Sequence, residues 1–219
     1  MKKVIAFSGS PRKNGNSVLI LNEFIRGVYK NNSPVTYIDV NEANIKNCTG
    51  CLRCNLLKRC SLRDDDWAEI SEGILSSDVI VFASPVYFHH VAAPLKKMID
   101  RFRSFVYVQI TEEGLNHTPH QMWSKDFVLI LCMGSSNDED AQPVIQLFRF
   151  ITSILGPGNK LHVITATRLG VTNQVIKTED ELRVLYEKMK LPTSLAEGDY
   201  IKNQEILSQC YELGVSMSQ

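Results

Sequence analysis

KVIAFSGSPRKNGNS, residues 3–17, decides how the rest of the chain is read. The apolar run KVIAF ends in a loop of small polar residues. A helical pattern follows, with Val18, Leu21, Ile25 and Val28 at i, i+3, i+7 and i+10. Strand, small-residue loop and helix N-terminus together present unpaired backbone N–H groups to a phosphate. Ser8, Ser10 and Ser17 add hydroxyl donors, Asn16 adds an amide, and Arg12 can add charge. The triphosphate pattern G-x4-G-K-[ST] fails: Gly9 and Gly15 enclose five residues, and Asn16 stands where the lysine belongs. G-x-G-x-x-G is absent too, which disfavours a dinucleotide held by its pyrophosphate. What remains is a monophosphate cradle, as FMN would require; the competing reading is an ordinary serine-capped turn.

Similar apolar runs recur outward from this stretch: VTYIDV at 35–40, DVIVFA at 78–83, FVLILCM at 127–133 and LHVITA at 161–166. Near-continuous hydrophobicity suits strands buried on both faces of a parallel sheet. Helical stripes lie between them. Asp66 and Glu69 read as a capping-box variant before Trp67, Ile70 and Ile74. Val91, Leu95, Met98, Ile99 and Phe102 form another stripe, with Pro94 tolerable in the first turn. Val144, Leu147, Phe148 and Ile151 form the next, and a last helix spans roughly 199–214. Five strands alternating with helices predict a doubly wound α/β sheet. Ligands then sit beyond the carboxyl ends of the strands, in the loops after residues 7, 40, 83 and 133. Two long segments interrupt the alternation, 104–125 and 167–196, the second with a helical stretch near 178–190.

The 219 residues suit one α/β domain. Net charge is zero, which argues against nucleic acid as the main partner. The start, MKKVIAF, has no signal-peptide core, and no stretch approaches a membrane span, so a cytoplasmic protein is expected.

Two further stretches carry chemistry. Ser84-Pro85-Val86-Tyr87-Phe88 ends the third strand with an aromatic pair and exposed backbone, which suits a flat ligand with a polar rim. NCTGCLRCNLLKRC, residues 47–60, holds Cys48, Cys51, Cys54 and Cys60 in the spacing C-x2-C-x2-C-x5-C. Clustered cysteines in a reducing compartment bind metal or do redox chemistry more often than they form disulfides. Three thiolates at x2 spacing can wrap a corner of a [4Fe–4S] cluster, with the fourth completing the set. Zinc and four unligated thiols are the competing readings. Among the rest, Asp64-Asp65-Asp66 reads as helix capping and Asp100-Arg101 as an ion pair or subunit contact. His89-His90 reads as a capped, partly exposed pair, and Cys132 and Cys210 as buried cysteines. His117 and His120 with Glu112 and Glu113 are a weak zinc candidate.

SGSPRKNGNS (8–17), ASPVYFHHVAAPLKKMIDR (83–101) and GDYIKNQEILSQCYELG (198–214) resemble the NAD(P)H-dependent FMN reductase group of flavodoxin-like proteins. NCTGCLRCNLLKRCSLRDDDW (47–67) resembles the iron–sulfur flavoproteins within that group. The resemblance spans the chain apart from 104–125 and 167–196. It implies a flavodoxin-like five-stranded parallel sheet, order 2-1-3-4-5, with helices on both faces. It implies an FMN phosphate at Ser8, Ser10, Arg12, Asn16 and Ser17. The isoalloxazine would rest on Pro85, Val86, Tyr87 and Phe88, with Gly134 and Ser135 closing the other side. NAD(P)H would be the co-substrate, and electrons would pass to a small-molecule or protein acceptor, with a [4Fe–4S] cluster on the four cysteines. A homodimer or homotetramer is implied, and no catalytic acid or base is required. The competing reading is a non-catalytic electron carrier between redox partners.

Overall fold

The computed structural model describes residues 1–219. In chain order the strands are β1 (Val4–Ser8), β2 (Val35–Asp39), β3 (Val79–Tyr87), β4 (His90–Val91), β5 (Val106–Thr111), β6 (Gly114–Pro119), β7 (Asp126–Cys132) and β8 (Lys160–Ala166). The helices are α1 (Asn16–Tyr29), α2 (Cys54–Leu57), α3 (Trp67–Ser76), α4 (Ala93–Arg101), α5 (Gln142–Leu155), α6 (Glu179–Lys188) and α7 (Leu195–Met217). The central sheet runs β2-β1-β3-β7-β8, parallel throughout. Counted by its five long strands, this is the expected order 2-1-3-4-5. Val4 lies beside both Val35 and Val79, so β1 is central and its carboxyl end opens into the loop at 9–15.

Alternation along the strands separates two cores. Ile5, Phe7, Ile80, Phe82, Phe127 and Leu129 face α3, α4 and α5. Phe7 and Phe127 both stack on Phe82, at centroid distances of 5.4 and 6.4 Å. Val4, Ala6, Val81, Ala83, Val128 and Ile130 face α1 and α7 instead. Smaller side chains on that face let its helices come close. The two helices themselves nearly touch: a Cβ on Gly27 would lie 2.1 Å from the Tyr211 carbonyl oxygen, and one on Gly214 would lie 2.1 Å from that of Phe24.

Several boundaries differ from the sequence reading. β3 runs past Ala83 through Pro85 to Tyr87, because β7 pairs with it as far as Pro85↔Cys132. It then turns back through Phe88 and His89, at φ 48° and 59°, into β4. Residues 104–125, read from the sequence as an interruption, hold the antiparallel hairpin β5–β6; β5 is the apolar run VYVQIT and β6 the polar GLNHTP. α6 opens with a full capping box between Thr178 and Glu181. The expected box at Asp66 and Glu69 does not form. Asp66 accepts instead from Asn44 N–H at 2.8 Å, and Asp65 accepts from Trp67 N–H at 3.3 Å, so both carboxylates fasten the chain preceding α3. No helix is long and apolar enough to cross a membrane.

Candidate functional site

The loops at the carboxyl ends of β1, β3 and β7 enclose one pocket. Ser10, Arg12, Gly15, Asn16 and Ser17 line one end; Pro85, Val86 and Tyr87 line a second side; Met133, Gly134, Leu169 and Gly170 line the third. At the first end, the backbone N–H groups of Asn16 and Ser17 open α1 and carry no hydrogen bond within the chain. Ser17 Oγ is likewise without a partner. The Ser10 hydroxyl donates to the Arg12 carbonyl at 3.0 Å and accepts from Arg12 N–H at 3.2 Å, which closes the turn. A Cβ on Gly15 would lie 2.5 Å from Ser10 Oγ and 3.1 Å from the Arg12 carbonyl oxygen, so the cradle depends on bare backbone there. Free amides at a helix N-terminus, two hydroxyls and a guanidinium suit a phosphate monoester.

The pocket gathers eight of the eleven residues expected around a flavin: Ser10, Arg12, Asn16, Ser17, Pro85, Val86, Tyr87 and Gly134. Ser8, Phe88 and Ser135 stand outside the lining. Ser8 is buried at the end of β1, and its hydroxyl has no partner. Phe88 is fully exposed on the left-handed turn. Ser135 lies just behind the pocket, where its carbonyl accepts from Arg168 N–H at 2.8 Å. The Asn16 amide is committed elsewhere. It donates to the carbonyls of Leu169 (3.1 Å) and Val171 (2.8 Å) and accepts from Val175 N–H (3.0 Å). Only its backbone N–H is left for a ligand.

These bonds reveal a wall that the sequence did not announce. Leu169 and Gly170 belong to the 167–196 segment, and Arg12 donates to the Gly170 carbonyl at 3.1 Å. A Cβ on Gly134 would lie 3.7 Å from Gly170 Cα, so two glycines meet side by side within this wall. Behind them Asp199 accepts from Arg168 (2.8 Å), Lys202 (2.8 Å) and the Tyr186 hydroxyl (2.6 Å). Burial opposes charge on Asp199, but these three donors outweigh it and hold the carboxyl below its ordinary range. Burial first, and then the bond to Asp199, pushes Tyr186 up to about 12.

A second cavity lies around the cysteines. Cys48, Cys51, Cys54 and Cys60 all line it, with Arg101, Arg103 and Ser104 opposite. The loop turns tightly through three left-handed residues, Gly50, Leu52 and Lys58, at φ 67°, 57° and 53°. Arg101 Nη2 donates to Cys60 Sγ at 3.2 Å, and Arg103 Nη1 to Cys54 Sγ at 3.4 Å. Arg101 is wholly buried and pairs with Asp65, not with its neighbour Asp100, which pairs with Lys96 at 2.6 Å. Burial opposes charge on Asp65, yet the bonds from Arg101 and from Lys46 N–H hold its carboxyl low. Cys51 is exposed, and the N–H of Arg53, then the hydroxyls of Ser61 and Thr49, bring its thiol down to about 7. Burial pushes the Cys54 thiol up, against the pull of Arg103. Cys132 and Cys210 are buried, and burial raises both thiols. No group of three or more His, Cys, Asp or Glu is placed to hold a single metal ion, at the cysteines or near His117 and His120. His89 hydrogen-bonds the Asp140 carbonyl at 3.3 Å, and His90 Nδ1 accepts from Val91 N–H at 3.0 Å.

Residues 2–168 match the family model described as NADPH-dependent FMN reductase. The chain belongs to that family. An iron–sulfur flavoprotein of Methanocaldococcus jannaschii is 36% identical over 101 residues, which cover 46% of this chain and 52% of that protein. An iron–sulfur flavoprotein of Clostridioides difficile is 31% identical over 100 residues, 45% of this chain and 44% of that one. The chain spans about half the length of the curated relatives it matches. Among solved structures, an FMN-dependent NADH-azoreductase from Bacillus anthracis in complex with FMN superposes with a TM-score of 0.65 at 13% identity, over 99% of this chain and 100% of that one. An NAD(P)H:quinone oxidoreductase from Methanothermobacter marburgensis gives 0.63 at 14% identity, over 100% and 98%. At those identities the likeness is one of fold: the FMN reductase family here uses the flavodoxin-like sheet described above.

Proposed function

We propose that the chain is an FMN-dependent oxidoreductase that takes electrons from NAD(P)H and passes them to a small-molecule or protein acceptor, with the cysteine loop holding one [4Fe–4S] cluster. The observation that carries the flavin half is the pocket's first end, where two unbonded helix N–H groups, the Ser17 hydroxyl and Arg12 converge. They suit one phosphate monoester, which favours FMN over FAD. Bound flavin would supply hydride and single-electron chemistry, and the chain positions it. Pro85, Val86 and Tyr87 would flank its ring on one side and Met133 and Gly134 on the other. Tyr87 remains half exposed at the mouth, so the ring face is reachable by a nicotinamide without a dedicated dinucleotide site. No side chain in the pocket needs to act as a general acid or base.

The cluster half is supported by the second cavity. Its four thiols line one space, and two arginines already donate to two of the sulfurs. Zinc also takes four cysteines, but its sites usually separate two C-x2-C-like pairs by a longer loop, so the spacing C-x2-C-x2-C-x5-C favours the cluster. The names of the relatives agree. A homodimer or homotetramer in the cytoplasm, with no nucleic-acid partner, completes the reading.

Acid release of the cofactor should yield FMN, and FAD as the main species would overturn the assignment. Ser17→Glu places a negative charge where the phosphate belongs and should abolish flavin binding. Anaerobic mixing with NADH or NADPH should bleach the flavin at modest affinity; if neither does, the electron-carrier reading takes its place. Reconstitution should incorporate about four irons and four sulfides per chain, and fewer in Cys51→Ser.

A further inference from the structure

The two arginines of the cysteine cavity do more than close it. Arg101 lies at the end of α4 with its side chain wholly buried; Arg103 follows two residues later and is partly buried. Arg101 is fixed from several sides: Nη1 donates to the Lys46 carbonyl at 2.8 Å and to Asp65, and its Cζ lies 5.3 Å from the Trp67 ring centroid. Arg103 Nη1 also donates to the Val106 carbonyl at 2.8 Å, and Nη2 to Asn55 Oδ1 at 3.0 Å. Each guanidinium therefore has a set orientation and still directs one N–H at a sulfur. Arg101 Nε–H is buried with no partner, so that guanidinium keeps an unused donor. Asp65 offsets one positive charge. No acidic side chain pairs with Arg103.

We propose that Arg103, supported by Arg101, sets the reduction potential of the cluster by donating N–H···S hydrogen bonds to Cys54 and Cys60. This rests on the cysteine loop holding a cluster. One-electron reduction adds a negative charge spread over the iron, sulfide and thiolate atoms. A cation within hydrogen-bond reach of a thiolate stabilises the reduced state more than the oxidised one. Hydrogen bonds to ligating atoms also orient the ligands and tune the metal. Two such bonds, on the last two cysteines of the run, bias the cluster towards accepting an electron. Cys51 is exposed and its side-chain neighbours are neutral hydroxyls, Ser61 at 3.5 Å among them, so the charged tuning is concentrated at Cys54 and Cys60. Arg101 and Arg103 are positioning residues in this account.

The test uses the holoprotein, reconstituted anaerobically, as wild type, Arg103→Gln and Arg103→Lys. Iron and sulfide are assayed in each, and the cluster's midpoint potential is titrated with its paramagnetic signal as the readout, which separates it from flavin. The expected result is equal iron content in all three. Arg103→Gln should favour the oxidised state by about tenfold, a fall of roughly 59 mV for one electron, and Arg103→Lys should recover most of it. An unchanged potential in Arg103→Gln at full iron content would overturn the proposal. Iron lost from that variant would overturn it too, in favour of a purely structural role. Wild type that binds no iron at all would sink the cluster reading itself, a failure visible before any potential is measured. Arg101→Lys keeps charge beside Asp65 but withdraws the planar fork from Cys60, and should lower the potential in the same direction.

Discussion

The two cavities are built from opposite materials. The pocket proposed for flavin is made mostly of backbone: open N–H groups at the start of α1, the bare Cα of Gly15, and the adjoining Gly134 and Gly170. Its polar side chains, Asn16 above all, mostly hold the loop at 169–175 in place. The cysteine cavity is made of side chains: four thiols, two guanidiniums and a buried carboxylate. A phosphate is recognised well by fixed peptide dipoles. Soft sulfur ligands need thiols at set distances, and charge to hold the loop that carries them. Damage should therefore stay local, and each perturbation below asks whether it does.

The largest effect belongs to Asp65→Asn. It leaves Arg101 buried without its counter-charge, and breaking such a pair costs about 3–5 kcal/mol. Chemical denaturation should show that loss, and cluster incorporation should fail while bound FMN remains. Equal loss of flavin would mean that the cavities form one unit. Asn16→Ala is the converse experiment. Three hydrogen bonds disappear, the Leu169 carbonyl and Val175 N–H are stranded while the Val171 carbonyl keeps Gln174 N–H, and a loss of about 2–3 kcal/mol follows. Flavin affinity should fall, with iron content untouched. Acid should strike both cavities in one pH range, through different residues. Asp65 and Asp199 have folded pKa values held below the ordinary 3.8, so their stabilisation is complete above about pH 4 and is lost as pH falls through the lower folded values. An acid titration followed by near-ultraviolet dichroism should stay flat from pH 7 to about 4.5 and then drop. In cluster-free protein near neutral pH, iodoacetamide should modify Cys51 first and spare Cys132 and Cys210 until the chain unfolds, as mass spectrometry of digested samples would show. Smallest of all is Lys96→Ala. This removes an exposed i,i+4 pair with Asp100 and should cost about 0.3–0.5 kcal/mol, with neither cavity affected.

Much of this was legible in the sequence, for definite reasons. Apolar runs near 4, 35, 79, 127 and 161 marked every strand of the central sheet: β1, β3 and β7 are buried on both faces and cannot hide their composition, and the half-exposed edges β2 and β8 still carry β-branched runs. The loop proposed for the phosphate was marked by Gly15, Ser17 and the helix that follows, and the structure shows that helix opening at Asn16. β6, GLNHTP, is mainly polar and carries no strand signal, whereas β5, VYVQIT, is an apolar run overlooked inside a segment that reads as an interruption. The wall at 168–175 had no local signal either. Its place depends on bonds from Asn16, more than 150 positions earlier, and on Asp199 further along. Asp65 and Arg101 looked like a cap and a neighbour of Asp100; only the tertiary fold brings them together, 36 positions apart.

The near-contact of Gly27 and Gly214 has a consequence for how the chain is made. α1, which opens at the loop proposed for the phosphate, leaves the ribosome well before α7, which packs against it. At the usual pace of synthesis the two are separated by roughly 10–40 s. Through that interval Phe24 and Val28 lack the surface that buries them in the finished protein. That helix is therefore made early and covered late, and the nascent chain must keep its apolar face from finding another partner until α7 emerges.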